Sequence, residues 1–237
     1  MADGSITIIG YEIGEQIYNG SRTLVYRGQR LSDNQPVAIK ILKNYPTAAE
    51  VAQFQNQYVI AKNLDLPGII KVYSLETYQN GYALVMELGG VSLKYYTNNY
   101  INIFNNTSLC EFLEIAIQIV DILAELSKNR VIHKDIKPAN ILINPNTKQV
   151  KLIDFSIASL ILEETCIRNN PNVLEGTLAY ISPEQTGRIN RGVDYRSDYY
   201  SLGVTIFELL TGKLPFECND AMELIHCHKV KSLRFCI

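Results

Sequence analysis

Charge of one sign is missing from this chain: 22 lysines and arginines face 24 aspartates and glutamates, for a formal net charge of −2. Without a basic or acidic excess there is no general electrostatic case for nucleic acid or an anionic membrane surface as partner. Paired cysteine spacing is missing too. Cys110, Cys166, Cys218, Cys227 and Cys236 are scattered, which argues against a disulfide framework and implies reduced thiols in a cytoplasmic setting. Cys227 lies between His226 and His228, but with no second ligand pair the triplet makes no metal site. No basic patch followed by an apolar run opens the chain, and its most apolar later segments carry Asp121, Glu125 and Glu208. Neither a signal peptide nor a membrane span is expected. What is present is ample apolar material: 47% of the 237 residues are hydrophobic, enough for one large domain or two lobes around a buried core.

The stretch that organises the chain is His133-Lys134-Asp135-Ile136-Lys137-Pro138-Ala139-Asn140, followed by Asp154-Phe155-Ser156. Between its halves lie Ile141-Leu142-Ile143, the turn-rich Asn144-Pro145-Asn146-Thr147-Lys148, and Gln149-Val150-Lys151-Leu152-Ile153. Two short apolar runs joined by turn chemistry predict a β-hairpin. A reversal near Thr147 puts Asn140 and Asp154 equally far from the turn, side by side on opposite strands. Such a pair of oxygen ligands suits Mg²⁺, which takes few protein oxygens together with water and phosphate. Just upstream, Asp135 and Lys137 are placed to hold a hydroxyl nucleophile and a phosphoryl oxygen.

These residues resemble the catalytic loop and metal-binding segment of eukaryotic-type Ser/Thr protein kinases, whose patterns are His-Arg-Asp-x-Lys-Pro-x-x-Asn and Asp-Phe-Gly. Lys134 replaces the family's arginine and Ser156 its glycine. The resemblance implies that Asp135 orients and deprotonates a Ser/Thr hydroxyl, that Lys137 steadies the γ-phosphoryl of ATP, and that Asn140 and Asp154 hold Mg²⁺. His133 is expected in the core rather than acting as a base.

Upstream, Tyr11–Tyr18, Thr23–Leu31 and Pro36–Leu42 read as strands, the first two bracketing Asn19-Gly20-Ser21-Arg22. In the resembled family this hairpin covers the nucleotide phosphates with three glycines; here only Gly20 remains, with Tyr18 and Thr23 at the other two positions. Alternation puts Ala38 and Lys40 on one strand face. By resemblance Lys40 reaches the α- and β-phosphates, while Val25, Ala38 and Leu142 enclose adenine. Helical spacing over Ala48–Leu64 sets Val51, Phe54, Tyr58 and Ala61 on one stripe. The family's lysine-pairing glutamate falls at Gln57, an amide that can bond Lys40 without neutralising it. Pro67–Tyr73 and Tyr82–Met86 read as two further strands. Glu87 and Leu88 then take the place of the hinge whose backbone groups bond adenine, with Met86 guarding the inner pocket.

Further on, Tyr95–Thr107 reads as a helix edge followed by a loop. Leu109–Asn129 reads as a helix that buries Ile115, Ile119, Ile122, Leu123 and Leu126. Ser156–Val173 resembles a mobile activation segment with Thr165 as its phosphoacceptor and Lys134 as its phosphate grip. Gly176 to Glu184 resembles the substrate-docking end of that segment, where Thr177 and Lys137 brace Asp135 in the serine/threonine arrangement. Asp198 is expected to bond the catalytic-loop backbone from the start of a buried helix that ends at Gly212. Kinases of this type continue through more helices, one supplying an arginine to Glu184; with the chain stopping at Ile237, Glu184 is expected to lack that partner.

The fold so implied is α+β and bilobal: residues 11–88 a small antiparallel lobe with one helix, residues 89–237 a mainly helical lobe cut short after a helix near residue 229, with ATP and Mg²⁺ between them. The chain also resembles the N-terminal kinase module of large cyanobacterial signalling proteins that carry an ATPase, sensor regions and a histidine kinase. Protein substrates and regulatory or sensor domains are the implied partners. Two other readings stand beside the kinase. Tyr18, Thr23, Gln57, Ser156 and the short second lobe suit a pseudokinase or nucleotide-sensing docking module. A small-molecule phosphotransferase would share Asp135, Asn140 and Asp154 but not the Gly176–Glu184 motif, and ranks last.

Overall fold

Strand β3 (Gln35–Leu42) is apolar on both faces, and the first part of the chain is built around it. Val37, Ile39 and Ile41 alternate onto one side, where they pack with Ile8, Ala83 and Val85. Ala38, Lys40 and Leu42 take the other side. Around β3 forms a five-stranded sheet in the order β1-β2-β3-β5-β4, with β1 at Tyr11–Asn19, β2 at Thr23–Arg30, β4 at Val72–Tyr78 and β5 at Gly81–Glu87. Every neighbouring pair is antiparallel. A methyl group at Gly28 would sit 2.7 Å from the Glu12 carbonyl oxygen, so β1 approaches β2 there only because no side chain intervenes. The computed structural model describes residues 6–43, 46–78, 81–100, 106–161, 176–187 and 192–230. Within it the chain divides into two compact units, Met1–Gly89 and Gly90–Ile237.

Helix α1 (Ala48–Asn63) starts at a capping box in which the Glu50 N–H donates to Thr47 Oγ1 and Thr47 N–H donates back to the Glu50 carboxylate. Its buried residues are Phe54, Gln57 and Ala61. The helix is therefore turned slightly from the expected stripe, with Gln57 inward and Tyr58 only half-buried. A larger difference lies at β4, which begins at Val72 rather than Pro67. Ile69 and Ile70 are buried all the same. The run enters through a turn, closed by Ile69 N–H donating to Leu66 O, because Pro67 has no N–H to offer a ladder.

The second unit opens on Gly90, whose φ of +118° and whose missing Cβ, which would lie 2.2 Å from Ile143 O, admit no other residue without rearrangement. Strand β6 (Val91–Ser92) and helix α2 (Leu93–Tyr100) follow, then α3 (Asn106–Lys128). Ile115, Ile119, Ile122, Leu123 and Leu126 are all buried on α3 as expected. The chain then runs through β7 (Val131–Ile132), a 3-10 turn at Pro138–Asn140, β8 (Ile141–Ile143), β9 (Val150–Leu152) and β10 (Ser159–Leu160). A second 3-10 turn, Pro183–Thr186, precedes α4 (Arg196–Thr211) and α5 (Ala221–Val230). Helix α4 ends at left-handed Gly212, whose N–H donates to Glu208 O at 2.8 Å. The α+β expectation of a small antiparallel lobe with one helix and a mainly helical lobe holds in the described residues. Thr165, most of the expected activation segment, residues 101–105 and the tail 231–237 lie outside them.

Candidate active site

Two short paired strands, the first of them buried, set the position of the second unit's polar segment. β7 pairs antiparallel with β10, Ile132 opposite Ser159, and delivers the chain to His133, which is fully buried. The Asp135 N–H donates to His133 Nδ1 at 3.3 Å, which leaves Nε2 as the protonated nitrogen donating to Ile153 O at 2.9 Å. The ring also meets Phe155 edge-on at 4.8 Å. His133 thus fastens the segment to the far strand of the hairpin, the core role expected of it.

Asp198, in the first turn of α4, accepts the His133 N–H and the Lys134 N–H, both at 2.8 Å. Burial pushes its carboxyl up, against the pull of His133 and of the two N–H groups. The clamp lets Lys134 adopt φ +68°, a left-handed turn that swings the chain toward Asp135.

Asp135 is the hub. Its Oδ1 accepts the Thr177 N–H at 3.1 Å and Thr177 Oγ1–H at 2.7 Å; its Oδ2 accepts Lys137 Nζ at 2.6 Å and Asn140 Nδ2 at 2.8 Å. Lys137 Nζ also donates to Thr177 Oγ1 at 2.6 Å, and Asn140 Nδ2 to Asp135 O at 2.9 Å. A carboxylate has about four acceptor positions, and these four donors fill them. A hydroxyl seeking this carboxylate must displace one of them.

Hairpin β8–β9 forms with Ile141 opposite Leu152 and Ile143 opposite Val150. That register corrects the expected placement by one residue. Asn140 faces Ile153, whose N–H donates to Asn140 O at 2.9 Å, and Asp154 follows one position later, at φ +69°. Asn144 closes the turn by accepting the Asn146 and Thr147 N–H groups on Oδ1, with Lys148 left-handed at φ +58°. The donor set fits magnesium. Asn140 uses its amide nitrogen on Asp135 and keeps Oδ1 as an acceptor. Asp154 contributes a carboxylate whose Oδ1 is buried and accepts no hydrogen bond, though the residue makes other interactions. Two hard oxygens suit an ion completed by water and phosphate rather than an all-protein cage. Among the described residues no cluster of three or more His, Cys, Asp or Glu is available to a metal.

Downstream, residues 176–187 are fastened to this hub. Gln185 Nε2 donates to Lys134 O at 2.9 Å while its Oε1 accepts from the Ser182 N–H and hydroxyl. Ser201 Oγ donates to Tyr180 O at 2.8 Å. Glu184 accepts from the Ser197 hydroxyl at 2.6 Å, and Arg196 lies close enough to add Coulomb attraction. Ser197 and Gln185 escaped the sequence reading. The Ser182-x-x-Gln185 spacing is a legible capping box, whereas Ser197 carries no signal in the chain.

In the first unit, Lys40 pairs with Val25 on β2 and Leu84 on β5. Its Nζ donates to Gln57 Oε1 at 2.8 Å, with Gln57 only 1% exposed. Ala38 is buried, opposite Arg27 and Met86. Gly20 closes the β1–β2 turn by donating to Thr23 O at 2.9 Å. The ring of Tyr18 lies against it, so that a Cβ on Gly20 would stand 2.6 Å from that ring. Arg22, in the same turn, reaches Glu50 of α1 at 3.2 Å. The Glu87 N–H donates to Lys71 O at 2.8 Å and its carboxylate accepts the Lys71 N–H. Leu88 follows half-buried, and Leu142 is half-buried on β8 of the second unit, opposite Ser92. The structure thus joins Asp135, Lys137 and Asn140 directly, sets Asp154 one residue past Asn140's strand partner, and gathers Lys40, Val25 and Ala38 on adjacent strands.

Comparison with known proteins agrees with this chemistry. Residues 11–235 match the family model described as "Protein kinase domain". The chain is 36% identical over 223 residues to serine/threonine-protein kinase PrkC of Bacillus subtilis, covering 92% of this chain and 33% of that protein. It is 31% identical to the probable serine/threonine-protein kinase PknB of Lactococcus lactis, over 97% of this chain and 36% of the relative. With serine/threonine-protein kinase PknB of Mycobacterium leprae it shares 30% identity over 92% of its length and 35% of the relative's. The chain spans about a third of the length of these curated relatives.

Proposed function

The chain belongs to the protein kinase family, and from that premise we propose that it is a Ser/Thr protein kinase module that transfers the γ-phosphoryl of ATP to protein hydroxyls. The observation that carries the reading is the Asp135 carboxylate saturated by Thr177, Lys137 and Asn140. On arrival of ATP, Lys137 turns from Asp135 to a γ-phosphoryl oxygen and vacates an acceptor position for the substrate hydroxyl. Asp135 orients that hydroxyl and takes its proton as the oxygen attacks phosphorus; the bond from phosphorus to the β–γ bridging oxygen breaks and ADP leaves. Thr177, bonded to both partners, keeps them aligned through the exchange.

Asn140 and Asp154 are the residues that would hold Mg²⁺, which when bound neutralises charge on the phosphate oxygens. Lys40 serves the α- and β-phosphates, Gly20 lies in the turn that covers them, and Val25, Ala38 and Leu142 supply apolar contacts to adenine. Glu87, whose N–H already serves Lys71, and Leu88 offer backbone groups to the base. The kinase domain proposed is residues 11–237, with 11–88 as its N-lobe and 89–237 as an incomplete C-lobe. Sensor or regulatory domains of a larger signalling system, of the cyanobacterial multi-domain kind, are its proposed partners, and the cytoplasm its proposed location. Among the described residues no helix is long and apolar enough to cross a membrane.

A second reading, a nucleotide-sensing docking module with little or no catalysis, is favoured by the amide partner of Lys40 and by the Tyr18 ring packed on Gly20. Labelled ATP with Mg²⁺ separates the two. The kinase reading expects autophosphorylation that falls by about 10²–10⁴-fold in Asp135→Asn. Calorimetric ATP binding with no incorporation by either folded protein would support the docking module instead.

A further inference from the structure

The described residues hold one close pair of sulfur atoms, far in sequence from the phosphoryl-transfer residues. Cys218 Sγ and Cys227 Sγ lie 3.5 Å apart, and neither is bonded in a disulfide. A disulfide bond of about 2.0 Å is reached from there by a closure of roughly 1.5 Å. The means for that closure are local. Cys227 sits on the inward face of α5, 1% exposed and between buried Ile225 and His228. Cys218 precedes the helix in an irregular segment and is half-buried, so one sulfur is shielded while the other is reachable from solvent.

We infer that Cys218 and Cys227 form a redox-active thiol pair, a modification site at which a hydroperoxide converts the two thiols to a reversible disulfide. In the first step the Cys218 sulfur attacks a peroxide oxygen. With hydrogen peroxide, the S–O bond forms, the O–O bond breaks, and the departing oxygen takes the Cys218 thiol proton and leaves as water, giving a sulfenic acid. In the second, the Cys227 sulfur attacks the Cys218 sulfur; the S–S bond forms, the S–O bond breaks, and the hydroxyl leaves as water with the Cys227 proton. The pair loses two electrons and two protons, and the peroxide takes up both. A dithiol reductant reverses the step by exchange. Cys110, by contrast, is exposed with no second sulfur in contact among the described residues.

The position gives the bond a structural consequence. It ties the segment before α5 to that helix's inner face, where His228 Nδ1 meets the Tyr200 hydroxyl at 2.8 Å and the imidazole ring stands edge-on to Phe216 at 5.0 Å. Helix α5 in turn packs on the 3-10 turn Pro183–Thr186, so oxidation stiffens the helix that backs the segment fastened to Lys134 and Asp135.

The test uses the full chain and hydrogen peroxide. Both cysteines fall in a single tryptic peptide, Leu214–Lys229, with no internal lysine or arginine. After reduction, removal of reductant, peroxide treatment and alkylation of remaining thiols, this peptide is expected to be lighter than its thiol form by the two hydrogens lost, and alkylated at neither cysteine. Dithiothreitol should restore both alkylation sites. In Cys227→Ser, a dimedone adduct should accumulate on Cys218. In Cys218→Ser, changed at a half-buried position that leaves the core intact, Cys227 should remain a thiol. A Leu214–Lys229 peptide that stays doubly alkylated after peroxide, or that is found cross-linked to Cys110, Cys166 or Cys236, would overturn the proposal.

Discussion

The two units each hold a lysine suited to phosphate, and they hold it differently. In the second unit Lys137 lies against a carboxylate at 2.6 Å and a hydroxyl at 2.6 Å, inside a set of bonds that ties Thr177 and Asn140 to the same carboxylate. In the first, half-buried Lys40 bonds the amide oxygen of buried Gln57 at 2.8 Å. Both bonds have an ionised donor, but only the first joins opposite charges and so adds Coulomb attraction to the hydrogen bond. Lys137 is positioned before any ligand arrives. The Gln57 oxygen positions Lys40 without itself adding a countercharge.

Thr177→Val tests the tighter half and should have the largest effect. It removes the hydroxyl that joins Lys137 to Asp135 while keeping the shape and the backbone N–H bond. Hydrogen bonds to charged groups contribute about 1.5–3 kcal/mol, so kcat for phosphoryl transfer should fall roughly 10- to 100-fold, with ATP affinity by calorimetry unchanged. A fall of less than twofold would mean that Lys137 and Asp135 hold each other unaided.

Gln57→Glu acts on the looser half and should work in the opposite direction. A carboxylate facing Lys40 strengthens that contact by about 1 kcal/mol, which corresponds to roughly a fivefold gain in kcat/KM for ATP. No gain in steady-state kinetics would erase the contrast between the two lysines.

The smallest effect separates the units by pH. All three histidines, His133, His226 and His228, belong to the second unit, and burial pushes the His228 imidazole below its ordinary value of 6.5. Below about pH 6.5 the unfolded chain then binds more protons than the folded one, so stability is lost as pH falls from there through the lower folded value. Hydrogen exchange at pH 7.5 and 5.5 should show this acid sensitivity in α5 and not in the β1–β5 sheet. His228→Gln should flatten it; an unchanged profile in the variant would assign the sensitivity to another group.

Much of this was legible because it is local. The alternation of Val37-Ala38-Ile39-Lys40, the 3.6-residue stripe of α3 and the glycine stop at Gly212 each need only a few neighbouring residues to read, and each stands where expected. What failed did so at register. The hairpin turn pairs Ile141 with Leu152, one position off the reversal expected at Thr147. A slip of one residue exchanges the two faces of a strand, so Asp154 reaches its place through a left-handed backbone rather than by facing Asn140 across the ladder. At β4 a continuous apolar run hid the boundary between a buried turn and a strand, which periodicity alone does not divide.

The sequence by itself determined which groups are present and which short elements carry them: a carboxylate, a lysine and an asparagine within six residues, an aspartate beyond a hairpin, a lysine ending an apolar strand. The family resemblance already points to Thr177 beside Asp135, 42 residues away, and to Gln57 beside Lys40, and the tertiary structure supplies the bonds that hold them; it alone decided that Tyr58 stays half-buried, that Ser197 partners Glu184, and that Cys218 and Cys227 touch. The reason is one of range. Dihedral preference and hydrophobic period act between neighbours along the chain, whereas a hydrogen bond between distant residues exists only once packing has brought both ends to within about 3 Å and excluded the water that would otherwise satisfy them.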